Sequence, residues 1–447
     1  MIVMKFGGSS VANAERLRHI ANIIKEYLPR KPVLVFSAMG DTTDYLLEAA
    51  ESALTTGTFS IKKIEEVHTK AIAELGLKKS VSDEVQIILA DLHDRLTGIA
   101  LYKEITPRMK DYVVSFGERL SVRIVAAYLN SLKIKAQHMD AWDAGFISDS
   151  NFTAAEVLKE SWDAIPSILI PLTEQGVLPV ITGFIAKNPD GNITTLGRGG
   201  SDLSATTIAA ACKAEEVQVW KDVDGILTAD PRIVKEAQPV DTVTYDEAAE
   251  LAYFGAQVLH PRAMQPCIKT GTPVLVKNSY NPSAKGTRII SSLGKRVKPV
   301  QAITSKKNVI LVDIVSTRML GQSGFLERVF ASFAEHKISV DMVATSEVSL
   351  SLTLDAVNDI ASLKKDLAKF ANVEIKKDKA IVTIIGDVQK SSEILGRSFM
   401  VCAGMGVQVQ MVSQGASKVN ISFIVNDKEA PEVVKALHHA FFEEGKA

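Results

Sequence analysis

Residues 1–28 read MIVMKFGGSSVANAERLRHIANIIKEYL, and this stretch decides the fold. Ile2–Phe6 is apolar but for Lys5 and has the composition of a strand, and Gly7-Gly8 breaks it. From Ala14 to Leu28 the apolar residues return at Leu17, Ile20, Ile24 and Leu28, the spacing of one helical face. Strand, glycine turn and helix make the opening of a β–α unit, and the pattern continues outward. Pro32 precedes Val33–Phe36, whose unbroken apolar run fits a parallel strand buried on both faces. Leu178–Thr182 and Val217–Trp220 are similar runs separated by helical segments. This alternation predicts a three-layer α/β sandwich around a mainly parallel sheet.

With 447 residues the chain outgrows a single hydrophobic core, so two or three domains are expected. Lys plus Arg number 51 against 52 Asp plus Glu, a balance that suggests neither a nucleic-acid nor a membrane-surface partner. Cys212, Cys267 and Cys402 are odd in number, far apart and in no CxxC pair, which argues against a disulfide framework or a zinc site. The N-terminus enters a strand at once, without the features of a signal peptide, and no apolar run reaches the ~18 residues of a membrane span. The expected location is the cytoplasm.

A boundary falls at about residues 291–302, where SSLGKRVKP (Ser291–Pro299) loses apolar periodicity and gains charge, Gly and Pro. Beyond it the chain repeats itself. Phe325–Leu354 aligns without gaps with Ile394–Phe423 at a constant offset of 69. Leu326/Leu395, Arg328/Arg397, Phe330/Phe399, Val340/Val409, Met342/Met411 and Val343/Val412 are identical pairs. Each copy reads strand, helix, strand, strand, helix, strand, a small α+β domain duplicated.

Two loops carry the chemistry. In Lys5-Phe6-Gly7-Gly8-Ser9-Ser10 the glycines let backbone N–H groups approach an anion, and Lys5 adds a positive charge. The bland alternative is a plain strand-to-helix turn. Thr195–Asp202 (TLGRGGSD) is a second loop of this type, opening a helix near Leu203. Arg198 among three glycines suits bidentate capture of a carboxylate or phosphate, whereas Asp202 could be merely an N-cap. Neither loop is a Walker A or GxGxxG motif. Two anion cradles on one α/β sheet favour a phosphoryl-transfer enzyme. Glu118 follows a strand-like Tyr112–Val114 segment and a glycine, and Asp222 lies in an acidic turn after Val217–Trp220. Tyr245–Met264 reads as one helix with Thr244 and Glu247 as a capping box, its His260 structural rather than catalytic.

KFGGSSVA, FSAMGDTTD, SFGERLS, GFIAKN, TTLGRGGSDLSA, VWKDVDGILTADPR, YDEAAELAYFGAQVLHPRAM and NPSAKGT occur here in the order in which they occur in aspartate kinases. The sequence resembles that family over about residues 1–290, and its duplicated tail is similar to the paired ACT domains of the same enzymes. The resemblance implies an amino-acid-kinase sandwich over 1–295, a first, effector-binding ACT domain over 303–375, and a second, structural and dimerising one over 376–447. It implies a monofunctional enzyme that phosphorylates L-aspartate from ATP, with Mg²⁺ brought by the nucleotide and no separate metal site. Lys5, Arg198 and Asp202 would be catalytic. Ser37, Thr43, Glu118, Arg198, Gly199 and Ser201 would surround aspartate. Lys5, Gly7, Gly8, Ser9, Lys221, Asp222, Arg232 and Gln257 would hold the nucleotide. The chain departs from the family at Leu227, where a tyrosine is frequent, and at Gln257, where a lysine is common.

RMLGQSGFL (Arg318–Leu326) and SVDMVATSE (Ser339–Glu347) are similar to the lysine-binding segments of lysine-inhibited aspartate kinases. The likeness implies L-lysine as an inhibitor, with Asp341 taking its ammonium group and Ser346 its carboxylate. Met319, Phe325 and Val340 would line the aliphatic stem, with Gln322, Leu326, Ser339 and Thr345 completing the site. In the second copy Asp341 becomes Gln410 and Ser346 becomes Gly415, which implies a unit that binds no effector. ACT pairs associate across chains, so a homo-oligomer is expected. A kinase of glutamate or acetylglutamate is the nearest rival, against which the DPR and HPRAM segments and the repeat count. A non-catalytic sensor is another, against which Lys5, Glu118, Arg198 and Asp202 count.

Overall fold

The structure, a computed structural model, describes residues 1–254, 259–292, 299–316, 323–356, 360–414 and 420–444. Its contacts divide the chain into two compact units. One comprises Met1–Ile226, Asp241–Tyr245 and Val258–Ser292; the other comprises Leu227–Val240, Asp246–Gln257 and Leu293–Ala447.

The first unit is built, among the described residues, on a sheet of eight strands: β1 (Ile2–Phe6), β2 (Pro32–Phe36), β3 (Ala136–Met139), β4 (Leu178–Thr182), β7 (Val217–Lys221), β8 (Thr242–Thr244), β9 (Val274–Asn278) and β10 (Thr287–Ile290). A separate hairpin pairs β5 (Ile185–Lys187) with β6 (Ile193–Thr195). The sheet runs β3-β4-β2-β1-β7-β9-β10-β8, and every neighbouring pair is parallel except β9 and β10. Alternate residues separate the two faces. Met4, Phe6, Leu34, Phe36, Val180 and Trp220 share one apolar cluster with Leu17, Leu46, Leu92 and Phe116 of the helices Ala14–Tyr27, Thr42–Thr56, Lys79–Tyr102 and Pro107–Ser131. Val3, Val33, Val35, Ile181, Val217 and Val219 are equally buried and turn to the other side. There the helices Ser161–Glu174 and Gly200–Ala211 pack on the strands, and Pro261–Thr270 packs on the latter helix. The expected three layers are present.

Four local readings change. Tyr112–Val114 is not a strand but part of the helix Pro107–Ser131. Thr106 caps that helix by accepting a hydrogen bond from the Met109 N–H, and Val113, Phe116, Leu120 and Ile124 form a helical stripe that overrides the local strand propensity. The helix expected near Leu203 starts earlier, at Gly200. Tyr245–Met264 is not one helix: the first ends at Tyr253, and a second, Pro261–Thr270, begins with Pro261 in its first turn, where the missing N–H costs nothing. The linker is shorter than expected, since a strand already begins at Val300.

The second unit holds a six-stranded antiparallel sheet with the order β12-β13-β11-β14-β16-β15. Its members are β11 (Val300–Val315), β12 (Met342–Thr345), β13 (Ser349–Asp355), β14 (Asn372–Gly386), β15 (Met411–Ser413) and β16 (Asn420–Asn426). β12 and β15 begin at Met342 and Met411, keeping the 69-residue offset of the repeat. The copies are not independent, however. The first half of β11, Val300–Lys306, pairs with Ile381–Gly386, and the second half, Val309–Val315, pairs with Asn372–Lys379. Each long strand thus serves both copies. Among the described residues no fourth strand follows the last helix of the second copy; the start of β11 occupies that position.

Candidate active site

A parallel sheet places all its carboxyl ends along one edge, and a crevice opens where the connections leave in opposite directions. Here that point lies at β1, which leads to β2 on one side and has β7 on the other. The connections following β1, β2 and β7 carry Gly7–Ser9, Ser37 with Thr43 at the start of the next helix, and Asp222, three of the segments singled out in the sequence. Ser37 N–H donates to the Phe6 carbonyl at 3.2 Å, and Gly40 N–H donates to the Gly8 carbonyl at 3.1 Å. A Cβ on Gly8 would stand 2.9 Å from the Gly40 carbonyl, so only glycine permits this contact.

Lys5 lies on β1 opposite Val219, and its side chain turns to the face covered by the helix Gly200–Ala211. Its ammonium group is 2.7 Å from Asp202 in the first turn of that helix, and both side chains are about nine-tenths buried. This ion pair brings the two glycine-rich loops together. Asp202 is therefore no N-cap; Gly199 occupies that position with φ +70°, and a Cβ there would stand 2.8 Å from His260. Ser201 is buried beside Asp202, while Arg198 is exposed at the loop's tip. Burial alone would raise the Asp202 carboxyl, but the Lys5 ammonium, then that of Lys221, outweigh it and hold the group below the ordinary carboxylate range. Lys221 ends β7 on the same sheet face as Lys5, and burial pushes its ammonium pKa down. Asp222 is exposed.

Glu118 comes from the helix Pro107–Ser131 and accepts a hydrogen bond from the Ala38 N–H at 3.2 Å. It is 3% exposed, and its second oxygen, Oε2, has no hydrogen-bond partner. Burial raises its pKa to about 8, the Ala38 N–H and the Lys5 charge only partly opposing the shift. Near neutral pH Glu118 is mostly protonated, so the cluster sets two ammonium groups against one carboxylate. Such a place suits an anion.

Two residues overlooked in the sequence fix the arginine loop. Asp111 accepts hydrogen bonds from the N–H groups of Thr153 and Thr195 and from the Thr195 hydroxyl, at 2.7–2.9 Å. Arg262 donates to the carbonyls of Leu196 and Ala155 at 3.0 and 2.7 Å. The HPRAM segment could have pointed to Arg262; no signal in the sequence links Asp111 to a loop 84 residues away. His260 caps its helix by accepting from the Arg262 N–H, a structural role. Arg232 belongs to the second unit, exposed and paired with Asp230 at 2.6 Å. Gln257 lies outside the described residues.

The second unit contains an open groove of about 850 Å³, lined by Ser323, Gly324, Phe325, Leu326, Glu327, Thr345, Ser346 and Glu347. Phe325, Leu326, Thr345 and Ser346 of the expected effector set meet here. Val340 is half-buried and Ser339 exposed; neither lines the groove. Asp341 does not line it either. Its carboxylate is 3% exposed, 2.8 Å from the Lys306 ammonium, and accepts a hydrogen bond from the Tyr253 hydroxyl. Met319, Gln322 and Gly415 lie outside the described residues.

Comparison with known proteins bears on the family and the fold. The amino acid kinase family profile matches residues 1–278, and an ACT domain profile matches 312–360 and 382–441. Aspartokinase 2, chloroplastic, of Arabidopsis thaliana is 50% identical over 460 residues, covering 99% of this chain and 84% of the relative. Lysine-sensitive aspartokinase 3 of Escherichia coli is 32% identical, with 99% of each chain covered. The structure of E. coli aspartokinase III in complex with aspartate and ADP (R-state) superposes with a TM-score of 0.82 at 32% identity, covering 99% of this chain and all of that one. Its complex with lysine and aspartate (T-state) gives 0.81 at 31% identity, with the same coverage. Family profile, full-length relatives and fold agree: the chain belongs to the aspartokinases, aspartate kinase enzymes that join an amino acid kinase domain to C-terminal ACT domains.

Proposed function

We propose that the enzyme transfers the γ-phosphoryl group of MgATP to the β-carboxylate of L-aspartate, giving 4-phospho-L-aspartate, the first step toward lysine, threonine and methionine. The observation that carries this reading is the buried Lys5–Asp202–Lys221 cluster beside Glu118, a net positive site at the switch point of a parallel sheet. The substrate carboxylate has an ordinary pKa of about 3.9 and is ionised at neutral pH, so attack needs no general base. The protein's work is to place two anions in line and neutralise the charge that develops between them.

In this reading the Gly7–Ser9 loop and Lys5 take the phosphates, with Lys221 and Asp222 alongside and Arg232 and Gln257 on the nucleotide side. Arg198 holds the α-carboxylate of aspartate, Ser37, Thr43, Gly199 and Ser201 shape its pocket, and Glu118 receives its ammonium group. Asp202 fixes the Lys5 ammonium until phosphate competes for it. Arg198→Ala should raise KM for aspartate about tenfold or more, the scale for losing a charge-assisted hydrogen bond, and change KM for ATP little. Equal effects on both constants would contradict the assignment.

Lysine is the effector we propose for the groove at Phe325 and Ser346, and its ammonium group would reach Asp341 by displacing Lys306. The E. coli relative, whose name and lysine complex associate it with that amino acid, supports the choice. Residues 1–295 would form the catalytic domain, 303–375 the effector domain, and 376–447 the structural domain through which chains pair. The cytoplasm is the compartment we propose, in keeping with three unpaired, buried cysteines. The test is a hydroxylamine trap for acyl phosphate, run with ATP and each of aspartate, glutamate and acetylglutamate. Hydroxamate should form with aspartate alone; product with another acid would overturn the reading.

A further inference from the structure

The segment following β9, NSYNPSAKGT (Asn278–Thr287), has no role in the site described so far, yet it stands at the switch point. β9 is the parallel neighbour of β7, with Asn278 opposite Lys221. Ser279 extends that pairing by one step, its N–H donating to the Lys221 carbonyl at 2.7 Å. Its hydroxyl donates to the same carbonyl at 2.9 Å and is thereby left to accept from the Ser10 hydroxyl, 2.8 Å away. Ser10 and Ser279 are both fully or nearly fully buried, so no water competes for these bonds.

Tyr280 continues the link at the surface. Its hydroxyl donates to the Ser9 carbonyl at 3.2 Å, and the Arg16 guanidinium lies 3.5 Å above its ring centre. Asn278 orients it from below: Asn278 Oδ1 accepts from the Tyr280 N–H at 2.8 Å. The Asn278 amide in turn donates to Asp224 at 2.8 Å, and the Asn281 amide donates to the same oxygen at 3.2 Å. Four residues thus tie the segment after β1, through Ser9 and Ser10 of the loop and Arg16 of the helix that follows, to the end of β7 and the turn beyond it, through Lys221 and Asp224.

We infer that Ser279 and Tyr280 are positioning residues for the phosphoryl donor, which set the separation between the Gly7–Ser9 loop and the Lys221–Asp224 turn. Burial does not explain Tyr280. The residue is 40% exposed, so packing holds it weakly, while its hydroxyl bonds to the loop we assign to phosphate. Removing its hydroxyl frees the Ser9 carbonyl, while the Gly7 and Gly8 carbonyls keep their bonds from the Ser10 and Gly40 N–H groups, so the loosening falls on the Ser9 peptide unit. Ser279→Ala removes the shared hydroxyl between Ser10 and Lys221 and lets the two loops move apart. Neither change touches the pocket we assign to aspartate.

This inference rests on the reading that the Gly7–Ser9 loop takes the phosphates, and the experiment separates the two. In the full-length enzyme, binding of the β,γ-imido analogue of ATP is measured by calorimetry for wild type, Lys5→Met, Tyr280→Phe and Ser279→Ala, alongside KM for each substrate. Tyr280→Phe should weaken analogue binding and raise KM for ATP about fivefold, the ratio set by one ordinary hydrogen bond. Ser279→Ala should do the same or more, and KM for aspartate should stay within twofold in both. Tyr280→Phe should leave the melting temperature within a degree or two, because the ring and its contact with Arg16 remain. Weakened binding in Lys5→Met with unchanged binding in both other variants overturns the inference alone. Unchanged binding in Lys5→Met overturns the phosphate reading and the inference with it. A lower melting temperature with unchanged nucleotide constants would make the two residues merely structural.

Discussion

Lys5→Met should lower kcat by about a hundredfold or more, the scale for removing one charge contact to a transition state. A strand residue two positions before the glycines has its side chain fixed by the alternation of the strand, and Lys5 turns to the face where Asp202 waits 2.7 Å away. The ammonium group is therefore held at the mouth of the glycine loop before any substrate arrives, and little reorganisation is left for the chemical step. The same substitution strands a buried carboxylate, which typically destabilises a protein by about 3–5 kcal/mol. Lys221 also acts on Asp202, so the loss should fall toward the low end of that range. The double variant Lys5→Met/Asp202→Asn separates the two effects. Its melting temperature should return toward wild type, since neither charge remains to be paired, while its turnover stays low. Wild-type turnover in the single variant, or turnover recovered in the double, would remove Lys5 from the chemistry.

The parts of the site legible in the sequence are those in which function and backbone coincide locally. Gly7-Gly8 and Gly197–Gly200 could be read as turns between a strand and a helix because paired glycines are a local signal; their part in holding anions belongs to the proposal above. The partnership between Lys5 and Asp202 could not be read. It spans 197 positions and depends on which sheet face the helix Gly200–Ala211 covers. Long-range hydrogen bonds hide for the same reason, and Asp111 is the clearest case: an acid in the first turns of a long helix looks like any helix-start carboxylate until the loop it holds is placed beside it. Tyr112–Val114 failed differently, through strand propensity over three residues losing to a stripe of period 3.6 over twenty-five. The repeat was legible from its constant offset. The sharing of β11 and β14 between its copies was not, because strand exchange leaves each copy's own pattern unchanged.

Glu118→Gln should lower kcat/KM for aspartate roughly ten- to hundredfold, the range for a hydrogen bond to a charged group, and flatten its dependence on pH. The carboxyl group is buried by the packing of its helix against the Ser37–Gly40 loop, and that burial carries its pKa to about 8. In the free wild-type enzyme the form that pairs with an incoming ammonium group is the ionised one, so kcat/KM should rise as pH passes through about 8 and then level. Glutamine has no such transition, and the rising limb should vanish. Stability must move the opposite way. A carboxyl whose pKa is higher folded than unfolded holds more protons in the native state, so its contribution is complete below the unfolded value near 4.5 and declines as pH climbs toward 8. The melting temperature of Glu118→Gln relative to wild type should therefore increase between pH 5 and pH 9, as the wild type is forced to bury a charge that glutamine never carries. Activity and stability would then diverge at a single position, wild type becoming the better enzyme and the weaker fold as the solution turns alkaline. A glutamine variant that retained the rising limb in kcat/KM would assign that titration to another group and leave Glu118 a packing residue.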